Sequence, residues 1–154
     1  MSNLEIGFKA PYFSLSDNNN KTHTLSDYQG QWLVLFFYPK DNTPGCTVEA
    51  CQFRDDYAEI SASNTKILGV STDSIESHSK YINKQNLPFP LLSDPSGSMS
   101  KLYHSLFKLG PVKFCKRHSF IIDPNGNIVK AYYKVTPAKH SQQVLNDLRG
   151  LQAG

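Results

Sequence analysis

With 154 residues, a net charge of +3, 39% hydrophobic and 19% charged residues, the chain has the makeup of one globular domain long enough to bury a core. Its longest apolar run, Trp32–Tyr38, falls well short of the roughly 20 residues a membrane helix needs. Its Lys and Arg residues are scattered apart from Lys113, Lys116 and Arg117, which argues against the basic stripe of a nucleic-acid binder. Met1–Pro11 holds no apolar block that would serve as a secretion signal, so a cytoplasmic protein is the expectation.

In chain order, Tyr12–Leu15 and Lys21–Leu25 flank Asp17-Asn-Asn-Asn20 and predict an N-terminal hairpin. Trp32–Tyr38 is continuously apolar, as suits a central strand buried on both faces. Pro39–Gly45 carries turn residues, and a helix should open at Thr43 or Pro44, the first suited to the N-cap and the second to the first helical position. That helix is expected to reach about Ile60, with Ala50, Phe53, Tyr57 and Ile60 on one face. Lys66–Ser71 predicts a second apolar strand, and a weakly amphipathic helix follows from about Ser74 to Asn86. Leu87-Pro-Phe-Pro90 breaks that helix, ahead of a short strand at Leu91-Leu92 and a short helix near Met99–Tyr103. Phe120–Asp123 and Asn127–Tyr133 around Pro124-Asn-Gly126 predict a β-hairpin. A last helix, about Ala138 to Leu151, carries Val144, Leu148 and Leu151 on one face. Strands alternating with helices, then a hairpin, predict a mixed sheet: an α/β, thioredoxin-like fold with an N-terminal β-hairpin extension, as a single domain over 1–154.

Cys46, Cys51 and Cys115 make an odd count that does not describe a disulfide framework, leaving inert thiols, a metal site or redox chemistry. Cys46 falls at the predicted helix start, where unpaired backbone N–H groups and the helix dipole favour an anion and so raise the thiolate fraction. Gly45 leaves room for a small reactant beside the sulfur, and Thr43 offers a hydroxyl that both donates and accepts. Cys51 lies five residues on, a rotation of about 140° and a rise of about 7.5 Å in a helix. An unstrained disulfide tolerates at most roughly 7 Å between Cα atoms, so a Cys46–Cys51 bridge requires the helix to unwind locally.

The run Pro39-Lys-Asp-Asn-Thr43-Pro-Gly-Cys46-Thr47 resembles the active-site motif of the peroxiredoxins. Its continuation, Val48-Glu-Ala-Cys51-Gln-Phe-Arg-Asp55, is similar to the bacterioferritin-comigratory, or Q-type, subfamily. The likeness extends from Gly7–Pro11 to Arg117-His-Ser-Phe-Ile-Ile-Asp123, nearly the whole chain. It implies a thiol peroxidase in which Cys46 is peroxidatic and Cys51 resolving. Thr43 hydrogen-bonds the peroxide, Pro39 shelters the sulfur, and Arg117 is the active-site arginine. Thr43, Gly45, Cys46 and Arg117 would then line the hydroperoxide site. The reading also expects a thioredoxin-like reductant, no metal or organic cofactor, and a monomer rather than a dimer, while the scattered basic residues and short apolar runs predict no nucleic-acid or membrane partner. Independently of family, a permanent cation such as Arg117 beside a thiolate stabilises the anion and can fork hydrogen bonds to peroxide oxygens.

Other residues are weaker candidates. In an extended segment Cys115 and Arg117 share a side, which would put a third thiol near the site as an auxiliary or a bystander, while His118 faces the other way. His23, His78, His104 and His140 are expected to be exposed, and the cysteines with a histidine lack zinc-ligand spacing. Glu49 suits the dipole of the first helical turn and allows a supporting polar role. Leu106–Cys115 is shorter than is usual for the subfamily and lacks its common tryptophan, which touches substrate preference and partner contacts. Two other functions fit a thioredoxin-like fold: a disulfide oxidoreductase, disfavoured by C-x4-C in place of C-x2-C spacing, and a non-catalytic binding module.

Overall fold

The computed structural model describes residues 4–153; the first three residues of Met1–Pro11, and the last position of the expected 1–154 domain, lie outside the described residues. The N-terminal hairpin is β1 (Ser14–Ser16) with β2 (Thr22–Thr24), followed by a 3-10 turn at Leu25–Tyr28. Then come β3 (Trp32–Phe37), α1 (Pro44–Asp55), α2 (Tyr57–Ser61), β4 (Thr65–Ser71), α3 (Ile75–Gln85), β5 (Leu91–Ser93) and α4 (Ser98–Leu102). The chain continues with β6 (Leu106–Leu109), β7 (Val112–Cys115), β8 (Ser119–Ile122), β9 (Ile128–Tyr132) and α5 (His140–Ala153). Among the described residues no helix is long and apolar enough to cross a membrane.

The main sheet has the order β5-β4-β3-β8-β9. β3 pairs parallel with β4 and antiparallel with β8, giving the mixed sheet expected. The continuous apolar run of β3 makes sense because successive side chains enter two different cores. Val34 and Phe36 join Ala50, Phe53, Ile60, Tyr81, Val144 and Leu148 beneath the helices. Leu33, Leu35 and Phe37 join Phe13, Met99, Tyr103 and Ile128 on the other face.

The expected helix to Ile60 is broken at Asp56, whose backbone (φ −96, ψ 5) caps α1 and whose carboxylate accepts from Ser141 Oγ at 2.6 Å. Leu106–Cys115 is a second hairpin, with Leu109 opposite Val112 across Gly110-Pro111, and Gly110 supplies the positive φ (+59) that the tight turn needs.

Three histidines expected at the surface are buried: His23 at 7%, His78 at 0% and His140 at 1% exposure. Burial is tolerated because their ring nitrogens are paired. His23 meets Asp17 and Tyr28, His78 meets Asp41 and the Leu92 carbonyl, and His140 meets Ser119. His104 is half-buried.

Candidate active site

The loop leaving β3 is clamped before it reaches α1. Tyr38 OH donates to Asp41 Oδ1 at 2.6 Å, and Asp41 Oδ2 accepts from Ser77 Oγ at 2.7 Å and lies 2.8 Å from His78 Nδ1. The Asp41 amide donates to Asp73 Oδ2 at 2.8 Å, and the Leu92 carbonyl, 2.9 Å away, requires His78 Nε2 to donate. Asp41, Asp73 and His78 bring three ligand-type atoms within 4.8 Å of one another, but those groups bond to each other, to Tyr38 and to Ser71 and Ser77, so they form a loop clamp. With the loop fixed, Asn42 takes a positive φ of 64° and Thr43 takes the N-cap position in extended backbone. The Thr43 hydroxyl does not cap the helix; it donates to the Lys40 carbonyl at 2.7 Å, which leaves its lone pairs to accept from a ligand.

Cys46 follows in the first turn of α1, with 1% of its surface exposed. Its Sγ lies 3.4 Å from Arg117 Nη2. Arg117 is brought from 71 residues away because β3 pairs with β8, which begins two residues after it. Gly45 makes that approach possible: a Cβ there would lie 3.1 Å from Arg117 Nη2. The other arm of the guanidinium, Nη1, donates to Glu49 Oε1 at 2.8 Å.

Glu49 is fully buried, and its Oε2 is without a hydrogen-bond partner among the described residues. Burial pushes its carboxyl up from 4.5 to about 7, although the Arg117 charge pulls the other way. Burial disfavours the charge on Arg117, but the neighbouring Cys46 sulfur and Glu49 carboxylate outweigh it and raise the guanidinium above its ordinary value.

Pro39 is half-buried and lines a groove of about 270 Å³ with Lys40, Asp73, Val112, Lys113 and Phe114. Thr47 Oγ1 accepts from Tyr81 OH at 3.1 Å, tying the first turn of α1 to α3. Cys51 is half-buried, and its Sγ donates to Gln85 Oε1 at 3.5 Å. All three cysteines are free thiols. Since α1 is continuous from Pro44 to Asp55, the two sulfurs sit on a helix that holds them apart.

Gly45, Cys46 and Arg117 thus meet at the start of α1, Thr43 stands at the N-cap of the same helix, Pro39 lines the neighbouring groove, and Cys51 stands further along α1. Cys115 does not join them. It is buried in the opposite core, where its Sγ lies 3.1 Å from Ser100 Oγ and burial pushes the thiol up to about 12. The alternation that paired it with Arg117 fails because β7 ends at Cys115 and belongs to a different sheet from β8. His118 does face away from Arg117, toward Ser105 Oγ at 2.9 Å and the Tyr133 ring. The direct partnership of Glu49 with Arg117 went unforeseen, although its i+3 spacing from Cys46 places both on one helix face. Tyr81 and the Asp41–His78 clamp carried no sequence signal.

A thiol at a helix start, beside a fixed cation and a free hydroxyl acceptor, can ionise and attack a small electrophile whose leaving group gains charge. The AhpC/TSA family model matches residues 6–131. Peroxiredoxin Bcp of Bacillus subtilis is 41% identical over 154 residues, spanning 96% of this chain and 97% of that protein. A crystal structure of a cysteine mutant of Xylella fastidiosa PrxQ superposes with a TM-score of 0.92 at 35% identity, covering 99% of both chains. The bacterioferritin comigratory protein of Xanthomonas campestris, solved as trapped intermediate and ligand complexes bearing on alkyl peroxide reduction, gives a TM-score of 0.87 at 34% identity, covering 95% of this chain and 98% of that one. Matched over most of its length by the family model and nearly end to end by these relatives, the chain belongs to the AhpC/TSA family, among the peroxiredoxins of the Bcp and PrxQ type.

Proposed function

We propose that this peroxiredoxin, a thiol-dependent peroxidase, reduces hydrogen peroxide and organic hydroperoxides through a Cys46 sulfenic acid that Cys51 resolves. The Cys46 thiolate attacks the terminal oxygen of the hydroperoxide. The S–O bond forms as the O–O bond breaks, and the departing oxygen takes up a proton to leave as water or an alcohol. Arg117 Nη2 holds the thiolate and the breaking O–O bond, the Thr43 hydroxyl accepts from the peroxide, Gly45 leaves space for it, and Pro39 keeps bulk water off the sulfur.

The first turns of α1 then unwind, the Cys51 thiol attacks the sulfenic sulfur, and water leaves as the disulfide forms. A thioredoxin-like dithiol restores both thiols through a mixed disulfide. No metal or organic cofactor enters the cycle. Both reacting cysteines lie on α1 of one chain, so resolution needs no second copy, which suits a monomer, and a reducing cytoplasm would keep Cys46, Cys51 and Cys115 as thiols between turnovers.

The observation that carries this proposal is the 3.4 Å contact between Arg117 Nη2 and the Cys46 sulfur at a helix start. Peptide mapping by mass spectrometry after one equivalent of peroxide tests it. The expected product is a Cys46–Cys51 linkage, and Cys51→Ser should stop after one turnover with Cys46 as sulfenic or overoxidised acid. A linkage to Cys115 overturns the resolving step, and a Cys46 that peroxide never oxidises overturns the whole cycle.

A further inference from the structure

Lys101 of α4, Lys108 of β6, Lys113 of β7 and Lys116 converge on a cleft of about 650 Å³, together with His104 and Leu106. Among the described residues the lysines in ion pairs are Lys80 and Lys130, both elsewhere, while Lys113 donates to the Ser96 carbonyl at 3.3 Å. Lys101, Lys108, Lys113 and Lys116 therefore have no carboxylate paired with them among the described residues.

Lys108 and Lys113 are direct cross-strand partners in the β6–β7 hairpin. Like charges set opposite each other destabilise a strand pair, and a two-stranded hairpin has little stability in reserve. The pair is not neutralised by any ion pair among the described residues, and a like-charge pair left so marks a surface kept for something other than stability. The position points the same way. Lys113 also lines the groove that holds Pro39 and Lys40 just ahead of Cys46, and Thr72 Oγ1 donates to the Lys113 carbonyl at 3.1 Å, fastening the hairpin beside the end of β4. The hairpin tip exposes aliphatic side chains, Leu109 at 67% and Val112 at 54%. Strand alternation sets the Leu109–Val112 pair on the opposite face of the ribbon from Lys108–Lys113, so the hairpin offers a charged face and an apolar face that meet at its tip.

We propose that the β6–β7 hairpin and its lysine cleft are the docking surface for an acidic dithiol protein that reduces the Cys46–Cys51 disulfide. This rests on the peroxidase cycle proposed above and says where its reductant binds. The uncompensated lysines steer an acidic partner toward the mouth of the site, and the aliphatic tip holds it there. In the reaction the reductant's thiolate attacks one sulfur of the disulfide, the S–S bond breaks, and the other cysteine leaves as a thiolate. The reductant's second thiol then displaces the enzyme from the mixed disulfide, and the two released thiolates take the two protons the reductant gave up. A second copy of this chain is a poorer occupant, because a two-fold contact would set the lysines against themselves. Nucleic acid fits less well because the most exposed apolar side chains of the tip, Leu109 and Val112, are aliphatic, and the exposed Phe107 ring is already packed against Phe114 at 4.9 Å.

The test compares the wild type with Lys108→Glu/Lys113→Glu in steady-state peroxide turnover, using an acidic-faced thioredoxin and, separately, uncharged dithiothreitol as reductant. The double variant is expected to lose about tenfold or more in kcat/KM for thioredoxin, and to lose the wild type's steep fall with ionic strength. Its turnover with dithiothreitol and its rate of Cys46 oxidation should stay within about twofold of wild type, showing an intact fold and site. An unchanged kcat/KM for thioredoxin overturns the proposal, as does a thioredoxin rate left intact while binding of a single-stranded oligonucleotide is lost. Wild type that fails to turn over peroxide even with dithiothreitol overturns the peroxidase cycle itself, and the docking role with it.

Discussion

Glu49 and Cys46 present two acidic groups to one guanidinium, and the buried carboxylate sits where water cannot reach it. The linkage sign follows from its raised value. Below pH 4.5 the carboxyl is protonated in folded and unfolded chains alike, so it contributes nothing to the pH dependence of stability. Between 4.5 and about 7 the unfolded chain ionises freely while the folded chain holds its proton, so stability falls as pH rises. Above about 7 both are ionised and the loss is complete. Glu49→Gln keeps an oxygen for Arg117 Nη1 and removes the titration. Its stability relative to wild type, from urea unfolding, should be flat below pH 4.5, climb by roughly 2–3 kcal/mol to pH 7 and level off. A difference that stays constant across this window, or moves the other way, means that Glu49 ionises at its ordinary value. In the same turn Gly45 is fixed by sterics, since any Cβ would press on Arg117 at 3.1 Å and shift the cation from the sulfur.

The helix that carries both cysteines is held unevenly. Its far end is anchored by Arg54 Nη1 donating to the Gln85 carbonyl at 2.7 Å and by Ser141 on Asp56 at 2.6 Å. Its first turns rest on longer contacts, Tyr81 to Thr47 at 3.1 Å and Arg117 to Cys46 at 3.4 Å, with a 3.5 Å thiol bond from Cys51 to Gln85, and on the 2.8 Å Arg117–Glu49 bond, which depends on the same guanidinium as the Cys46 contact. In the proposed cycle, oxidation of Cys46 disturbs the Arg117 contacts first and the segment between the cysteines unwinds, while Arg54 and Asp56 keep the rest in place. Val48 lies in that segment, 42% exposed and β-branched, and contributes little packing there. Val48→Ala should stabilise the helix by about 0.5 kcal/mol and slow disulfide formation about twofold. Stopped-flow fluorescence of the resolving step is the measurement, with mass spectrometry for a matching rise in overoxidised Cys46 at high peroxide. A faster or unchanged resolving step would place the rate limit outside the unwinding of α1.

Across the whole molecule, legibility in the sequence followed whether a feature was local. The β3 run, the Pro124–Gly126 turn and the first-turn position of Cys46 are each set by neighbouring residues, and the structure carries all three. Arg117 could be named from the motif, but its contact with Cys46 depends on the β3–β8 pairing, which no local pattern states. Two of the buried histidines escaped notice for the same reason, His78 being satisfied by Asp41, 37 residues away, and His140 by Ser119, 21 away, whereas His23 has near partners in Asp17 and Tyr28. The β6–β7 hairpin around Gly110-Pro111 was not foreseen, and the side on which Cys115 lands depended on the chain leaving one sheet for another. That change of sheet separates the three thiols in space. Cys46 and Cys51 lie on α1 on one side of the main sheet, while Cys115 is wholly buried on the other, bonded to Ser100 and pushed up to about 12. A buried thiol in that state is inert until the core around it opens. Iodoacetamide at pH 8 should therefore label Cys115 only as fast as the whole domain unfolds, with the urea dependence of global unfolding. Cys51, half-buried at the helix surface, should be labelled through local opening far sooner. Cys115→Ala should leave peroxide turnover unchanged. Labelling of Cys115 in step with Cys51, or a turnover defect in the alanine variant, would show that the far core opens during the cycle and that the third thiol takes part in it.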